Sequence, residues 1–393
     1  MRNTLIHLGA FSLALGLTWA PSTAQACGGF FCDNVNPVVQ TAERVLFRIN
    51  DDDTTTVIVE VQYQGPPSNF GWILPVAAGI TTDDLGTAPP GLFDALEEKT
   101  APRFERPSYN GSAGIDDGGS SCGLRRSRSD FVPPPPPDTS GVEVVGEAVV
   151  GPYAVELITA EKAENLSNWL IANGYQISPA AIPAIDHYID REMAFIGLKL
   201  TADVPAGPVD AFSFTVPGRV PSLPLVLTSV AASADMEIIT YVAGAGRHVP
   251  ANGEDIGFDY ESVRWVSEDD TDYPVVLREA IGDGYQRWNT EFASILGELV
   301  DIQDTPIDEV LDRDDYLNRY HSFMSPAEMT YDPYWMPSAD AQDLNNLHYL
   351  DEYQDYSGEL GAAGSGSPAP LSGMMVVLMP LLLALPRRRR TFA

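Results

Sequence analysis

Residues 103–141 cannot contribute to a packed core. They combine Gly118-Gly119-Ser120-Ser121, the basic cluster Arg125-Arg126-Ser127-Arg128 and an unbroken proline run from Pro133 to Pro137. Consecutive prolines lock φ and lack the amide donor, which favours a polyproline II rod. Their Gly- and Ser-rich neighbours bury too little apolar surface to offset the entropy of ordering. The chain therefore has to fold around a surface loop, assembling its core from segments on either side.

Those segments read as short strands with a few helices. Val45–Ile49 and Val57–Val61 are β-branched or aromatic runs separated by Asn50-Asp51-Asp52-Asp53-Thr54, a hairpin signal. Gly65-Pro66-Pro67 ends the second run, and Trp72–Val76 resumes an extended segment. Leu92, Phe93 and Leu96 share one side of a predicted helix over 91–100. Beyond the loop, strands are expected at 142–150, 153–158, 195–200, 211–216, 225–230 and 237–242. A helix over 160–173 is closed by Asn173-Gly174, and Ser178-Pro179 reads as a cap with proline at the first helical position. The longest helical candidate is 275–299, interrupted by Gly282 and Gly284. Runs of strands with interspersed helices and little βαβ alternation predict an α+β fold, mainly antiparallel sheet with a few packed helices.

Both ends carry membrane signals. Arg2, the apolar run Leu5–Ala20 and the small-x-small triplet Ala24-Gln25-Ala26 read as a signal peptide over 1–26, cleaved after Ala26. The new first residue would be Cys27, which also admits a lipid anchor. At the other end, 361–370 is a Gly/Ser/Pro spacer, 371–386 an apolar segment, and 387–393 an arginine-rich end expected in the cytoplasm, with Arg387, Arg388, Arg389 and Arg390 as retention charges. The apolar core of that tail spans roughly 22 Å as a helix, short of the ~30 Å hydrocarbon layer. The body between the ends divides into an α+β domain over 27–300 and an acidic region with scattered aromatics over 301–360. That region is expected to start as a helix over 308–320 and to finish as a strap or stalk.

Charge excludes one class of partner. The whole chain has a net charge of -32, with 23 basic and 55 acidic residues. Its lysines are Lys99, Lys162 and Lys199 alone, and nucleic acid is not expected as a principal ligand, since phosphate binding needs a basic surface. Three cysteines, Cys27, Cys32 and Cys122, allow one disulfide and leave one thiol over; Cys27–Cys32 and Cys32–Cys122 are the pairings considered.

No motif announces chemistry. Ser-x-x-Lys, a phosphate-cradling loop and His-Glu-x-x-His are absent, and the Gly-x-Ser-x-Gly spacing at Gly119–Gly123 falls inside the Gly/Ser/Pro-rich loop, not at the strand-to-helix elbow such a nucleophile needs. His187, His248, His321 and His348 are too far apart in sequence to suggest a metal pair. No cofactor is expected, with calcium the one ion considered, at Asp51-Asp52-Asp53, at Glu268–Asp272 and at Asp312–Asp315, although none of these follows the calcium-loop pattern.

Several segments are distinctive: Cys27-Gly-Gly-Phe-Phe-Cys32 followed by Asn36–Arg44, Tyr63–Pro66 continuing to Phe70–Val76, Trp169-Leu170 with Asn173–Tyr175, Phe195–Leu200, and Pro224–Ala231. In this order they resemble the exported bacterial family catalogued as domain of unknown function 2330, over about residues 27–260 or beyond. The resemblance implies an envelope protein and assigns no activity, so no catalytic residue is carried over. The tail is similar to the tripartite C-terminal sorting tails of bacterial envelope proteins; it lacks the cysteine of one such type, and its spacer is nearer the glycine type.

The leading expectation is an exported, non-enzymatic binding or structural module, displayed at or released from the cell surface. Its partners would be the membrane, through the C-terminal segment, and an envelope protein or polysaccharide. An exported hydrolase with a site invisible to spacing rules is the alternative, and a calcium-dependent surface module the second. Deleting 105–140 is expected to leave the melting temperature within about 4 °C of the intact chain, the shift that about 1 kcal/mol produces, provided Cys122 is not bridged. A large drop would place the loop inside the fold.

Overall fold

A computed structural model describes residues 39–64, 71–106, 139–201 and 210–350, except Gln176, Tyr285, Val300 and Asp304. The sequence folds into β1 (Val39–Ile49), β2 (Thr54–Gln64), β3 (Gly71–Val76), β4 (Leu85–Thr87), α1 (Leu92–Thr100) and β5 (Arg103–Glu105) before the loop. After it come β6 (Val142–Val150), β7 (Tyr153–Ala160), α2 (Ala163–Ala172), α3 (Ile182–Ile189), β8 (Ala194–Leu200), β9 (Phe212–Pro217), α4 (Leu225–Thr228) and β10 (Ala232–Gly244). The last part holds β11 (His248–Pro250), β12 (Glu254–Asp255), α5 (Tyr273–Ile281), β13 (Arg287–Ile295), α6 (Leu296–Leu299), β14 (Tyr316–Met324), β15 (Trp335–Pro337) and β16 (Leu347–Tyr349). The fold is α+β, as the sequence predicts.

Two sheets carry it. The larger has eight strands in the order β12-β13-β14-β10-β1-β2-β9-β4, and the smaller has four in the order β3-β8-β7-β6. Pairing is antiparallel except for β1 with β10 and β12 with β13 in the large sheet, and for the small β16–β5 ladder.

Alternation along the strands sets the layers. Val45, Phe47, Val57 and Val59 of the large sheet meet Trp72, Leu74, Val155, Ile196 and Leu198 of the small one in one apolar core. On the small sheet's other face, Ile73, Ile158 and Phe195 pack under α2 and α3. Leu46, Ile58, Ile239 and Tyr241, on the large sheet's other face, pack under α1. Strand β3 is buried throughout, which matches its unbroken apolar sequence.

Three expectations fail, each for a physical reason. Residues 225–230, predicted as a strand, start with α4: the apolar run Leu225-Val226-Leu227 is too short for periodicity to separate strand from helix. Leu225 enters the inter-sheet core and Leu227 the core under α2 and α3, so this one turn ties two cores together. The long helix over 275–299 stops at Gly282, whose φ of 57° ends α5, and the chain returns as β13. The helix over 308–320 is replaced by turns and then by β14, which lies between β13 and β10 in the large sheet. The acidic region is therefore woven into the core rather than strapped over it.

Order reaches further into the loop's margins than composition suggested. Glu105 pairs with Tyr349, and the Asn165 side chain donates to the Ser140 carbonyl at 2.5 Å. The segment to delete without touching these contacts is 107–138. No helix among the described residues is long and apolar enough to cross a membrane.

Candidate functional site

The most concentrated chemistry lies on the α1 side of the large sheet, where a bulge turns a carboxylate inward. Thr290 pairs with Tyr320 and Phe292 with Arg319, so Glu291 is an extra residue in β13 with no cross-strand partner. Its side chain shares the face of Phe292, as the two bulge residues of a strand do. On β14, Arg319 and His321 are two residues apart and so point the same way.

The Glu291 side chain is completely buried and fully engaged. Arg319 Nε donates to it at 2.5 Å and His321 Nδ1 lies 2.8 Å away, while the Tyr273 hydroxyl donates a third bond. Arg319 then forks onto Glu97 of α1, at 2.7 and 3.0 Å, and donates to the Tyr241 hydroxyl. His321 Nε2 lies 3.0 Å from Glu237 of β10. Glu97 and Glu237 are 41% and 44% exposed, so the cluster starts in the core and ends at the surface.

Charge pairing overrides burial here. Burial alone would raise the Glu291 carboxyl, yet His321 and Arg319 hold it down at about 2. Burial alone would lower His321, yet Glu291 and Glu237 lift it to about 9. The two signs follow from linkage. The raised His321 contributes stability fully below its ordinary 6.5 and loses it as pH climbs through about 9. The depressed Glu291 contributes above its ordinary 4.5 and loses it as pH falls towards about 2.

This arrangement does not suit general-base catalysis. Both ring nitrogens of His321 face carboxylates, so the imidazole is a cation at neutral pH and offers no lone pair. The nearby Thr100 hydroxyl donates to the Leu96 carbonyl at 2.6 Å. The cluster ties β13, β14, β10, α1 and α5 together through charge-assisted bonds.

A second feature lies on the opposite face of the large sheet. Thr41 is a bulge residue in β1, which brings Gln40 and Glu43 to one side, and Gln40 Nε2 donates to Glu43 at 2.9 Å. Burial pushes the Glu43 carboxyl up to about 7, against that bond. Glu43 borders a groove between the sheets of about 190 Å3, lined by Val45, Val57, Val59, Leu74 and Phe214.

The histidines lie apart. His187 Nε2 is 4.0 Å from Asp332. His348 stacks on Tyr260 with ring centres 3.6 Å apart, and burial lowers it to about 4. His248 begins β11. In the acidic turns Asp52 accepts from Thr54 at 2.6 Å, Asp272 from the Arg264 amide at 2.7 Å, and Asp312 pairs with Arg48 at 2.6 Å. Among the described residues no group of three or more His, Cys, Asp or Glu could hold a metal ion. Cys27, Cys32, Cys122, Ala24, Ala26 and Arg387–Arg390 lie outside the described residues. Glu291, Arg319 and Glu43 escaped the sequence reading, although a lone Glu in Trp-Asn-Thr-Glu-Phe-Ala-Ser-Ile was a signal of a charge inside a strand.

Removing the guanidinium should be severe. Arg319→Met leaves Glu291 buried without one of its two cationic partners and should cost about 3–5 kcal/mol in urea unfolding. A loss below about 1 kcal/mol would show that Glu291 is not held as a buried anion.

Among curated proteins none matches the chain. Two solved structures show similarity. A mutated baculovirus P35 after caspase cleavage is 10% identical, with 52% of this chain and 66% of that chain covered, at a TM-score of 0.29. Baculovirus P35 itself is 12% identical, with 60% and 72% covered, at the same TM-score of 0.29. At that score the likeness carries no argument about fold or function. The family model described as "Uncharacterized protein conserved in bacteria (DUF2330)" matches residues 21–332, which include every residue of the cluster and of the groove, and the chain belongs to that family.

Proposed function

We propose that this protein is an exported, non-catalytic binding module of the bacterial envelope, which takes a small amphipathic molecule into the groove between its sheets. The signal-type start and the sorting-type tail support the location. The observation that carries the binding reading is the groove itself, an apolar slot with one buried carboxyl at its border.

Volume sets the size of the ligand. An apolar cavity of about 150 Å3 accepts benzene, and this groove is about 190 Å3. A body of five or six carbons therefore fits. At about 0.8 kcal/mol per buried methylene, five contribute about 4 kcal/mol, a millimolar affinity. Specificity would come from Glu43. Its carboxyl ionises near 7, so a cationic or hydrogen-bond-donating head is favoured above that pH and a carboxylate head is disfavoured.

Titration calorimetry with hexylamine, hexanol and hexanoate tests the reading. Saturable binding is expected for the amine and the alcohol, with the amine gaining at least about threefold as pH rises from about 6 to about 8. Val59→Phe, which fills the groove, should abolish it, and Glu43→Gln should remove the pH dependence while keeping the alcohol bound. If no probe saturates, or the filled variant binds equally well, the groove is not a ligand site.

A further inference from the structure

The chain's strong negative charge makes a cationic pocket conspicuous. Beyond the end of β1, a cavity of about 320 Å3 is lined by Ile49, Arg219, Gly246, Arg247, His248 and Ser338, with no carboxylate in its wall. The net charge of the whole chain is -32.

Arg247 is the informative residue. Its Nη1 meets the Asn318 side chain at 3.3 Å and its Nη2 the Thr290 hydroxyl at 3.4 Å, both neutral and both long. Its Nε is buried and donates no hydrogen bond among the described residues. Among the described residues no carboxylate pairs with it; the nearest along its bonding chain is Asp255, which accepts from the Thr290 hydroxyl at 2.5 Å. A half-buried guanidinium with only neutral, stretched partners is costly.

The other members complete a cradle. Arg219 Nη1 donates to the Asn50 carbonyl at 3.1 Å and reaches Asp53 at 3.4 Å, but Asp53 is 85% exposed and can yield to a competing anion. His248 holds Nδ1 at 2.9 Å from the Gly246 carbonyl, which fixes the ring. Two guanidinium groups on a cavity wall match the paired oxygens of an oxyanion, by the fork geometry that arginine offers and lysine does not.

We propose that the Arg219–Arg247–His248 cavity is a binding site for a small oxyanion, a carboxylate or phosphate group presented by an envelope saccharide or by a free metabolite. This site is separate from the inter-sheet groove: in the segment between them Gly218 and Val220 line the groove while Arg219 lines the cavity. Either can fail without the other.

Calorimetry on the intact chain tests it, with inorganic phosphate, glucuronate and an oligosaccharide of glucuronate as probes, each against sodium chloride at matched ionic strength. Saturable binding of at least one probe is expected, weakened at least tenfold by Arg247→Gln and at least threefold by Arg219→Gln. Replacing the distant Arg103 by Gln should leave it unchanged. Phosphate alone binding indicates a free anion, and preference for the oligosaccharide indicates an envelope polymer. Because Arg247 is half-buried, Arg219→Gln, at an exposed residue, decides the matter if the first variant does not fold. Absence of saturable binding, or equal binding by the variant that folds, would overturn the proposal.

Discussion

The buried carboxylate of Glu291 is the constraint around which the large sheet is arranged. An ion taken out of water costs several kcal/mol unless its partners are charged and well placed. Here a bulge in β13 delivers the carboxylate, β14 delivers Arg319 and His321 from one strand face, and α5 adds the Tyr273 hydroxyl. The positive charges are themselves answered by Glu97 on α1 and Glu237 on β10. Each element is thus fixed relative to the others by bonds whose loss would strand a charge. The cluster's chemistry is that of a staple: its histidine is cationic, and its donors and acceptors face one another.

With one face of the large sheet closed in this way, the two cavities considered above lie elsewhere. The opposite face meets the small sheet imperfectly and leaves the groove beside Glu43, and the end of β1 borders the arginine-lined cavity. The two cavities differ in chemistry: one offers apolar walls with a carboxyl, the other guanidinium groups with no carboxylate. The proposed binding role rests on the first of these cavities and the proposed oxyanion site on the second.

Much of the fold was legible locally. The 45–61 hairpin, the buried β3, the helix capped by Asn173-Gly174 and the Ser178-Pro179 turn all have short-range causes, namely alternation, turn residues and caps. The Ser178 hydroxyl does accept from the Ala180 amide, as a cap should. What failed was decided at a distance. Residues 316–320 look like the end of an acidic helix, but pairing on both sides turns Tyr-Leu-Asn-Arg-Tyr-His-Ser-Phe-Met, residues 316–324, into a wholly buried strand. The cluster was illegible for the same reason. Glu97 and Arg319 are separated by 222 residues, and no spacing rule links a helix near one end to a strand near the other.

The most direct test of this account is the charge state of His321, read from imidazole nitrogen shifts by NMR between about pH 5 and about pH 10, where a free histidine would titrate near 6.5. Assignment follows from replacing each of the other histidines in turn. The account predicts that His321 stays protonated through neutrality, with both ring N–H groups hydrogen-bonded, and gives up its proton only near 9. A ring that is neutral at pH 7 would contradict the closed ion cluster and would restore a general base beside Glu291.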